Sequence, residues 1–445
     1  MMPTGTRAVR VHVRSALLFV AALAALCPTL EAQAPRTLTL DEAVRLAEVA
    51  RPAVIQARAQ IRNAEASRRA AKGLWLPSLN ANAQGNQLTS GGVGRVDPAT
   101  GEILPGGSTT RSVNFGLNSS VDLFDGFRRY SDRDVANAQL EAAGAGLTDA
   151  RFQTRLQVTN QFYTLIAAQQ LLAVREASQR RADEQLRQAV ARLRAGSATR
   201  SDSLRSLVAL GTARGNVATA QRDVIAAEAV LGQLTGIEGR ASAADDSTYY
   251  TLIAAIDTAS LVEEAAAKSP VVQNTAASAS AAQAQLRSTK SVYWPTLTLS
   301  GSYSYNGSSV RNYDLTNQRQ LNLGINWAIF NKFVRERNVA NQVSAIEIAD
   351  ATAAEAKRQV RATVISQLAA LDAAQTRIGI TETSVVAARE DLRVQQERYR
   401  LGAATIVEVL TSQEALNQAE VDVVIARFDF LRARAQIEAA LGRTL

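Results

Sequence analysis

Proline is absent from two long stretches of this chain. The nine prolines stand at 3, 28, 35, 52, 77, 98, 105, 270 and 295, which leaves 106–269 and 296–445 without any. Proline removes a backbone donor and clashes with the preceding turn, so these stretches can carry helices much longer than an ordinary domain needs. Ala, Arg, Gln, Leu and Glu fill them, and all are good helix formers.

The landmarks also repeat. Pro52 and Pro270 are 218 positions apart, as are Pro77 in Leu76-Pro77-Ser78-Leu79 and Pro295 in Trp294-Pro295-Thr296-Leu297. Further along, Phe124 and Phe127 match Phe330 and Phe333 at a separation of 206, and Gly196 matches Gly402 at the same separation. The offset falls by 12 because the polar, Gly-rich stretch 88–111 has 24 residues and its counterpart 306–317 has 12. A period this long is a duplicated half-protein, not a solenoid repeat.

After each Pro77-type landmark the hydrophobic period changes to two. Val113, Phe115, Leu117, Val121 and Leu123 alternate with Ser, Asn, Gly and Asp in 111–124. Leu321, Leu323, Ile325, Trp327 and Ile329 do so in 319–330, and Leu297, Leu299, Gly301, Tyr303 and Tyr305 in 297–305. The run Leu79, Ala81, Ala83, Gly85 is the weakest of the four. Such alternation suits a half-buried soluble sandwich or a tilted strand crossing an outer membrane. Trp75, Trp294, Trp327 and Phe330 at the strand ends nearest the helical segments favour the membrane, as an interfacial aromatic girdle would. Leu321, Leu323, Ile325 and Trp327 are then expected to face lipid. Four strands cannot close a barrel, and open edges are not tolerated in lipid, so the chain is expected to oligomerise. Three copies would supply twelve strands around a water-filled lumen.

From Phe127 to Ala195 only Gly144 and Gly146 weaken a helix, and 334–401 repeats the pattern. At a rise of 1.5 Å per residue each would be a rod of roughly 100 Å. Each ends at a glycine, Gly196 or Gly402, and reverses into a shorter helix. The abundant alanine suits either a close-packed wall one helix thick or an antiparallel coiled coil.

The N-terminus reads as a secretory leader: Arg7, Arg10 and Arg14 precede the apolar run Ala16 to Leu26, with small residues at Ala32 and Ala34. Leu26 before Cys27 argues against lipid attachment there. The single Cys and the single histidine, His12, both fall in this leader. A mature chain without either has no thiolate or imidazole for catalysis or metal binding, and no disulfide. No cofactor and no enzymatic chemistry are expected. The formal charge of +8 does not indicate a nucleic-acid partner, since the arginines are scattered among acids along helical segments. Gly91-Gly92-Val93-Gly94 lacks a following helix and reads as loop, and Asp245-Asp246 and Glu263-Glu264 read as solvated acids between the halves.

The most specific motif is a glycine followed three residues later by Thr and six later by an acid. It occurs as Gly196-Ser197-Ala198-Thr199-Arg200-Ser201-Asp202 and again as Gly402-Ala403-Ala404-Thr405-Ile406-Val407-Glu408. With Leu231-Gly232-Gln233-Leu234-Thr235-Gly236 and Ala440-Leu441-Gly442 at the ends of the return helices, the chain resembles the TolC family of outer membrane factors over nearly its whole mature length. The resemblance implies a mixed α/β membrane protein, with a long periplasmic helical barrel and a trimer-shared twelve-stranded outer membrane β-barrel. The expected layout is a signal peptide 1–34, a first repeat 35–236, a linker 237–262 and a second repeat 263–445. Each repeat would carry a helix, two strands, a long helix (127–195, 334–401) and a return helix (199–234, 405–441).

The resemblance further implies a homotrimeric exit duct working with a periplasmic adaptor and an inner-membrane transporter of RND, ABC or MFS type, in an efflux pump or a type I secretion system. A non-conducting envelope scaffold or adhesin is the competing reading. Gly196, Ser197, Ala198, Thr199, Gly402, Ala403, Ala404 and Thr405 would meet the adaptor, or serve only as helix caps. Asp202 and Tyr399 would link the coils of a closed gate. Glu408 would line the narrowest passage as an acidic ring, or be a solvated helix-end acid. Ala404 and Thr411 stand where a well-known family member has an arginine and a second acid, so closure would be made differently here.

Overall fold

The computed structural model describes residues 35–96, 98–104, 106–246, 249, 258–309 and 314–443. The expected leader, with His12 and Cys27, and part of the expected linker lie outside the described residues.

The proline landmarks acquire a structural meaning. Helix α1 spans Leu40–Ala50, and α2 spans Pro52–Gly73 with Pro52 in its first turn, where its missing N–H has no partner to lose. Further on, α5 (Thr258–Lys268) is followed by α6 (Pro270–Lys290), which starts on its proline in the same way. Pro77 and Pro295 each stand one residue before a strand. These strands are β2 (Ser78–Ser90) and β7 (Thr296–Ser308), so the second proline of each pair stops the helix and starts the sheet.

Two helices of 67 residues follow the strands: α3, Arg128–Arg194, and α7, Val334–Arg400. Two helices of 36 residues return: α4, Arg200–Thr235, and α8, Ile406–Leu441. The described residues divide into two compact units, each drawing on both halves of the chain. One comprises the segment ending at Leu46, Gln161–Ser247 and Ser384–Val424; the other comprises Ala47–Asn160, Thr248–Thr383 and Ile425–Leu445.

The first unit contains a short parallel pair, β1 (Arg36–Leu38) with β6 (Ala241–Ala243), and the ends of both long helices with most of both return helices. A polar layer lies inside its coil. Arg181 Nη2 donates to Glu420 Oε2 at 2.7 Å and to Asn417 Oδ1 at 2.7 Å, and Arg389 lies 3.7 Å from the other Glu420 oxygen. One carboxylate of α8 therefore joins α3 and α7.

The second unit contains the sheet, antiparallel in the order β2-β5-β7-β8, with β5 at Ser108–Phe124 and β8 at Thr316–Asn326. The weakest of the four sequence patterns, Leu79 to Gly85, is a full strand of 13 residues. The strands reach further into the polar segments than the sequence suggests, from Ser108 and to Ser308, and two short strands, β3 (Arg95–Val96) and β4 (Ile103–Leu104), pair within the first loop. At the other end β8 stops at Asn326, so Trp327 and Ile329 are not strand residues. Trp327 turns away to donate its indole N–H to the Tyr293 carbonyl at 3.2 Å.

Each strand hands over to its long helix through the same device. Gly126 and Phe127 have φ of 66° and 65°, and Lys332 and Phe333, 206 positions on, have 57° and 61°. A bulky residue in this region is strained. The strain is offset locally: Asp125 Oδ2 accepts from the Arg129 amide at 3.0 Å, and Asn331 Oδ1 from the Arg335 amide at 3.4 Å. The Arg129 guanidinium lies 4.6 Å above the Trp75 ring and the Arg335 guanidinium 4.4 Å above the Tyr293 ring, two further positions related by the duplication.

Candidate functional site

The tip turns are built twice from the same hydrogen bonds. Gly196 and Gly402 take φ of 74° and 79°, the left-handed conformation glycine adopts without strain. Gly196 N donates to Leu193 O and Ser197 N to Arg192 O; Gly402 N donates to Tyr399 O and Ala403 N to Arg398 O. This pairing of a 5→2 with a 6→1 bond closes a helix C-terminus and satisfies its last carbonyls. Three residues on, the return helix is capped. Thr199 Oγ1 accepts from Asp202 N at 3.2 Å while Asp202 Oδ2 accepts from Thr199 N at 3.0 Å. Thr405 and Glu408 repeat this reciprocal box at 3.4 and 3.1 Å. The spacing of glycine, Thr and acid is thus set by helix termination and restart. Gly196, Ser197, Thr199, Gly402, Ala403 and Thr405 are exposed on the turns, whereas Ala404 packs against a cluster of Leu392, Tyr399, Ile406, Val409 and Leu416.

No hydrogen bond joins Asp202 to Tyr399. The Asp202 carboxylate is committed to its own helix cap, and the buried Tyr399 hydroxyl has no partner among the described residues. Burial pushes the Tyr399 phenol up, and the nearby Asp202 charge adds to this against the opposing charge of Arg192. What crosses from α3 to α7 is Arg192. Its guanidinium lies 4.4 Å above the Tyr399 ring and donates through Nη1 to the Tyr399 carbonyl. Sequence reading missed Arg192; its spacing of four residues before Gly196, with Arg398 equally placed before Gly402, was the available signal.

Glu408 caps α8 and lies 3.7 Å from Arg398. The Thr405 amide and hydroxyl hold its carboxyl below the usual range, with a smaller contribution from Arg398. The acids between the halves are paired: Glu263 meets Arg361 at 2.9 Å and Glu264 meets Arg443 at 2.9 Å, and no metal-holding cluster occurs among the described residues.

The sheet has two chemically distinct faces, set by its register. Leu79, Ala81 and Ala83 share one face with Phe115, Leu117, Leu297, Leu299, Tyr303, Tyr305, Leu321, Leu323 and Ile325, the last three all strongly exposed. The opposite face is amide and hydroxyl: Asn118 donates to Asn82, Asn82 to Asn114, and Asn114 to Asn306, among Ser300, Ser302, Ser304, Gln320 and Asn322. Both edge strands, β2 and β8, lack a second partner among the described residues. No described helix is long and apolar enough to cross a membrane.

An amphipathic sheet with two open edges, continued into helices of this length, defines a subunit of an outer membrane channel with a periplasmic helical extension. The chain belongs to the outer membrane efflux protein family, whose model matches residues 43–237 and 261–443. This is a family of transport channels placed in the cell outer membrane. Among relatives, the outer membrane efflux protein BepC of Brucella suis is 26% identical over 341 residues, covering 74% of this chain and 73% of that protein. The outer membrane protein TolC of Escherichia coli is 25% identical over 333 residues, covering 68% of this chain and 65% of that protein. The solved structure of the outer membrane protein VceC of Vibrio cholerae superposes with a TM-score of 0.73 at 18% identity, covering 91% of this chain and 96% of that one.

Proposed function

We propose that three copies of this chain close one barrel, β8 of each pairing with β2 of the next, and that the trimer is the outer membrane exit duct of an efflux or secretion machine. The observation that carries this is the four-stranded sheet with one apolar face, one amide-lined face and two unpaired edges. Only closure satisfies those edges in lipid. Leu321, Leu323 and Ile325 then face lipid, with Trp327 beyond the strand end at the interface, and the Asn, Gln and Ser face lines the lumen. The mature chain is read as two repeats, 35–236 and 263–445, joined by a linker.

The turns at Gly196–Thr199 and Gly402–Thr405 are the surfaces offered to a periplasmic adaptor, because small exposed side chains let a partner helix end approach closely. An inner-membrane transporter of RND, ABC or MFS type supplies the energy. Arg192 on Tyr399, with Asp202 beside them, holds the two coils of each copy together at the closed entrance. Glu408 contributes a ring of three carboxylates there. The test is the native mass of the detergent-extracted protein followed by single-channel recording. A conducting trimer supports the reading, and a monomeric or non-conducting rod replaces it with an envelope scaffold.

A further inference from the structure

The two tip turns share their backbone hydrogen bonds but not their charges. Residues 192–208 carry four arginines and one acid, whereas the matching residues 398–414 carry two arginines and two acids. At the first turn Arg194 ends α3, Arg200 begins α4 and Arg205 follows in its second turn, and all three are exposed. None of the three has a carboxylate partner among the described residues. Asp202, the acid between them, is held by the Thr199 amide at 3.0 Å, and Arg192 is engaged with Tyr399. The counterparts 206 positions on are neutralised or absent. Arg400 Nε lies 2.9 Å from Glu397, Ile406 is buried, and Thr411 donates its hydroxyl to the Val407 carbonyl at 2.9 Å. The remaining arginine of the second turn, Arg398, lies 3.7 Å from Glu408.

Stability does not account for the surplus at the first turn. Arg200 is the first residue of α4, where free amides already make the helix end positive and a further cation is disfavoured. At 1.5 Å per residue all three side chains branch within about 10 Å of the turn along the helix axes, so they also repel one another. A carboxylate brought by a partner offsets both costs, and a guanidinium can donate two parallel N–H bonds to it. The second turn offers different chemistry: Leu401, 77% exposed, stands where the first turn has Ala195. Three copies would present three basic turns and three whose charges are balanced, so the two turns are not interchangeable docking surfaces.

We propose that the first tip turn docks an acidic helical segment of a partner protein through Arg194, Arg200 and Arg205, and that the second turn does not. This rests on the reading of the tips as docking surfaces, and the experiment separates the two. Ser197→Cys and Ala403→Cys are made singly, each adding a thiol to a chain whose one cysteine, Cys27, lies in the expected leader. The purified proteins are labelled with a synthetic helical-hairpin peptide bearing a maleimide at its turn and three Glu beside it, or with the same peptide carrying Gln instead. Rates are taken relative to N-ethylmaleimide, which removes differences in thiol reactivity. The Glu peptide should label Ser197→Cys about tenfold faster than Ala403→Cys, as two or three exposed ion pairs supply. Arg194→Gln with Arg200→Gln and Arg205→Gln should erase the difference at unchanged native mass, the triple Arg→Lys variant should keep most of it, and the Gln peptide should label both cysteines alike. Equal labelling of both cysteines by the Glu peptide, or a difference that survives the Gln variant, overturns the proposal while docking at the tips stands. Dissociation of the Gln variant would pair these arginines with a neighbouring copy and overturn it as well. Labelling by neither peptide above the N-ethylmaleimide rate overturns docking at the tips, and the proposal with it.

Discussion

Gly126 is held by two constraints at once: its φ is 66°, and a Cβ there would meet the Ser291 carbonyl oxygen at 2.5 Å and Trp294 Cβ at 2.7 Å. Gly126→Ala should therefore cost about 1–3 kcal/mol, read as a lower melting temperature of the trimer. Its counterpart Lys332 shows that the conformation alone is tolerated, so the contact with Ser291 makes the difference. At the tip, the lone Tyr399 hydroxyl and the Arg192 stack make opposite forecasts. Tyr399→Phe should leave closed-state conductance in a planar bilayer unchanged, whereas Arg192→Ala should raise it by removing about 1 kcal/mol of cation–π attraction per copy. A conductance rise in Tyr399→Phe would return the hydroxyl to the gate. Glu408 adds a pH dependence. Its folded pKa is lowered, so its contribution is present above the unfolded value and is lost as pH falls through the lowered one. Hydrogen exchange at the Thr405 amide should accordingly quicken below the ordinary carboxylate range, about pH 4. The two tip motifs were legible in the sequence because glycine, Thr and acid at fixed spacing are local capping chemistry. The partner of Tyr399 was not, because a ring and a guanidinium 207 positions apart meet only through helix packing.

Among the elements, α3, α4, α7 and α8 follow from the absence of proline and from the glycines that end the long pair. Their side-by-side register is another matter. Inside a coil rich in alanine, apolar packing discriminates weakly between registers, and a buried polar layer can select one. Glu420 between Arg181 and Arg389 is such a layer. Glu420→Ala should cost about 2 kcal/mol or more, since it strands the partly buried Arg181 guanidinium, which is 24% exposed. Thermal melting of the trimer would show it, and a neutral result would remove Glu420 from the register. The strands were legible as period-two runs, but their ends were not. The residues 88–90 and 306–308 read as loop, yet they pair in the ladder because one face of the sheet is itself polar.

For the whole molecule, the proposed closure of the barrel puts Leu323 against hydrocarbon. Leu323→Arg should cost about 2–4 kcal/mol per copy near the midplane and deplete trimers from the outer membrane fraction. Normal trimers would reverse the assignment of the two faces. The sequence by itself determined the class of fold, the duplication, the four alternating segments and the caps at both tips. These depend on backbone donors, side-chain period and turn chemistry, all set within a few residues. Only the tertiary structure decided that β5 pairs with β7 across the repeats, that one face collects the amides and the other the aliphatic and aromatic side chains, and that Arg192 closes on Tyr399. Those outcomes need residues far apart in the chain to meet, and their energies come from pairing and packing that no local pattern encodes.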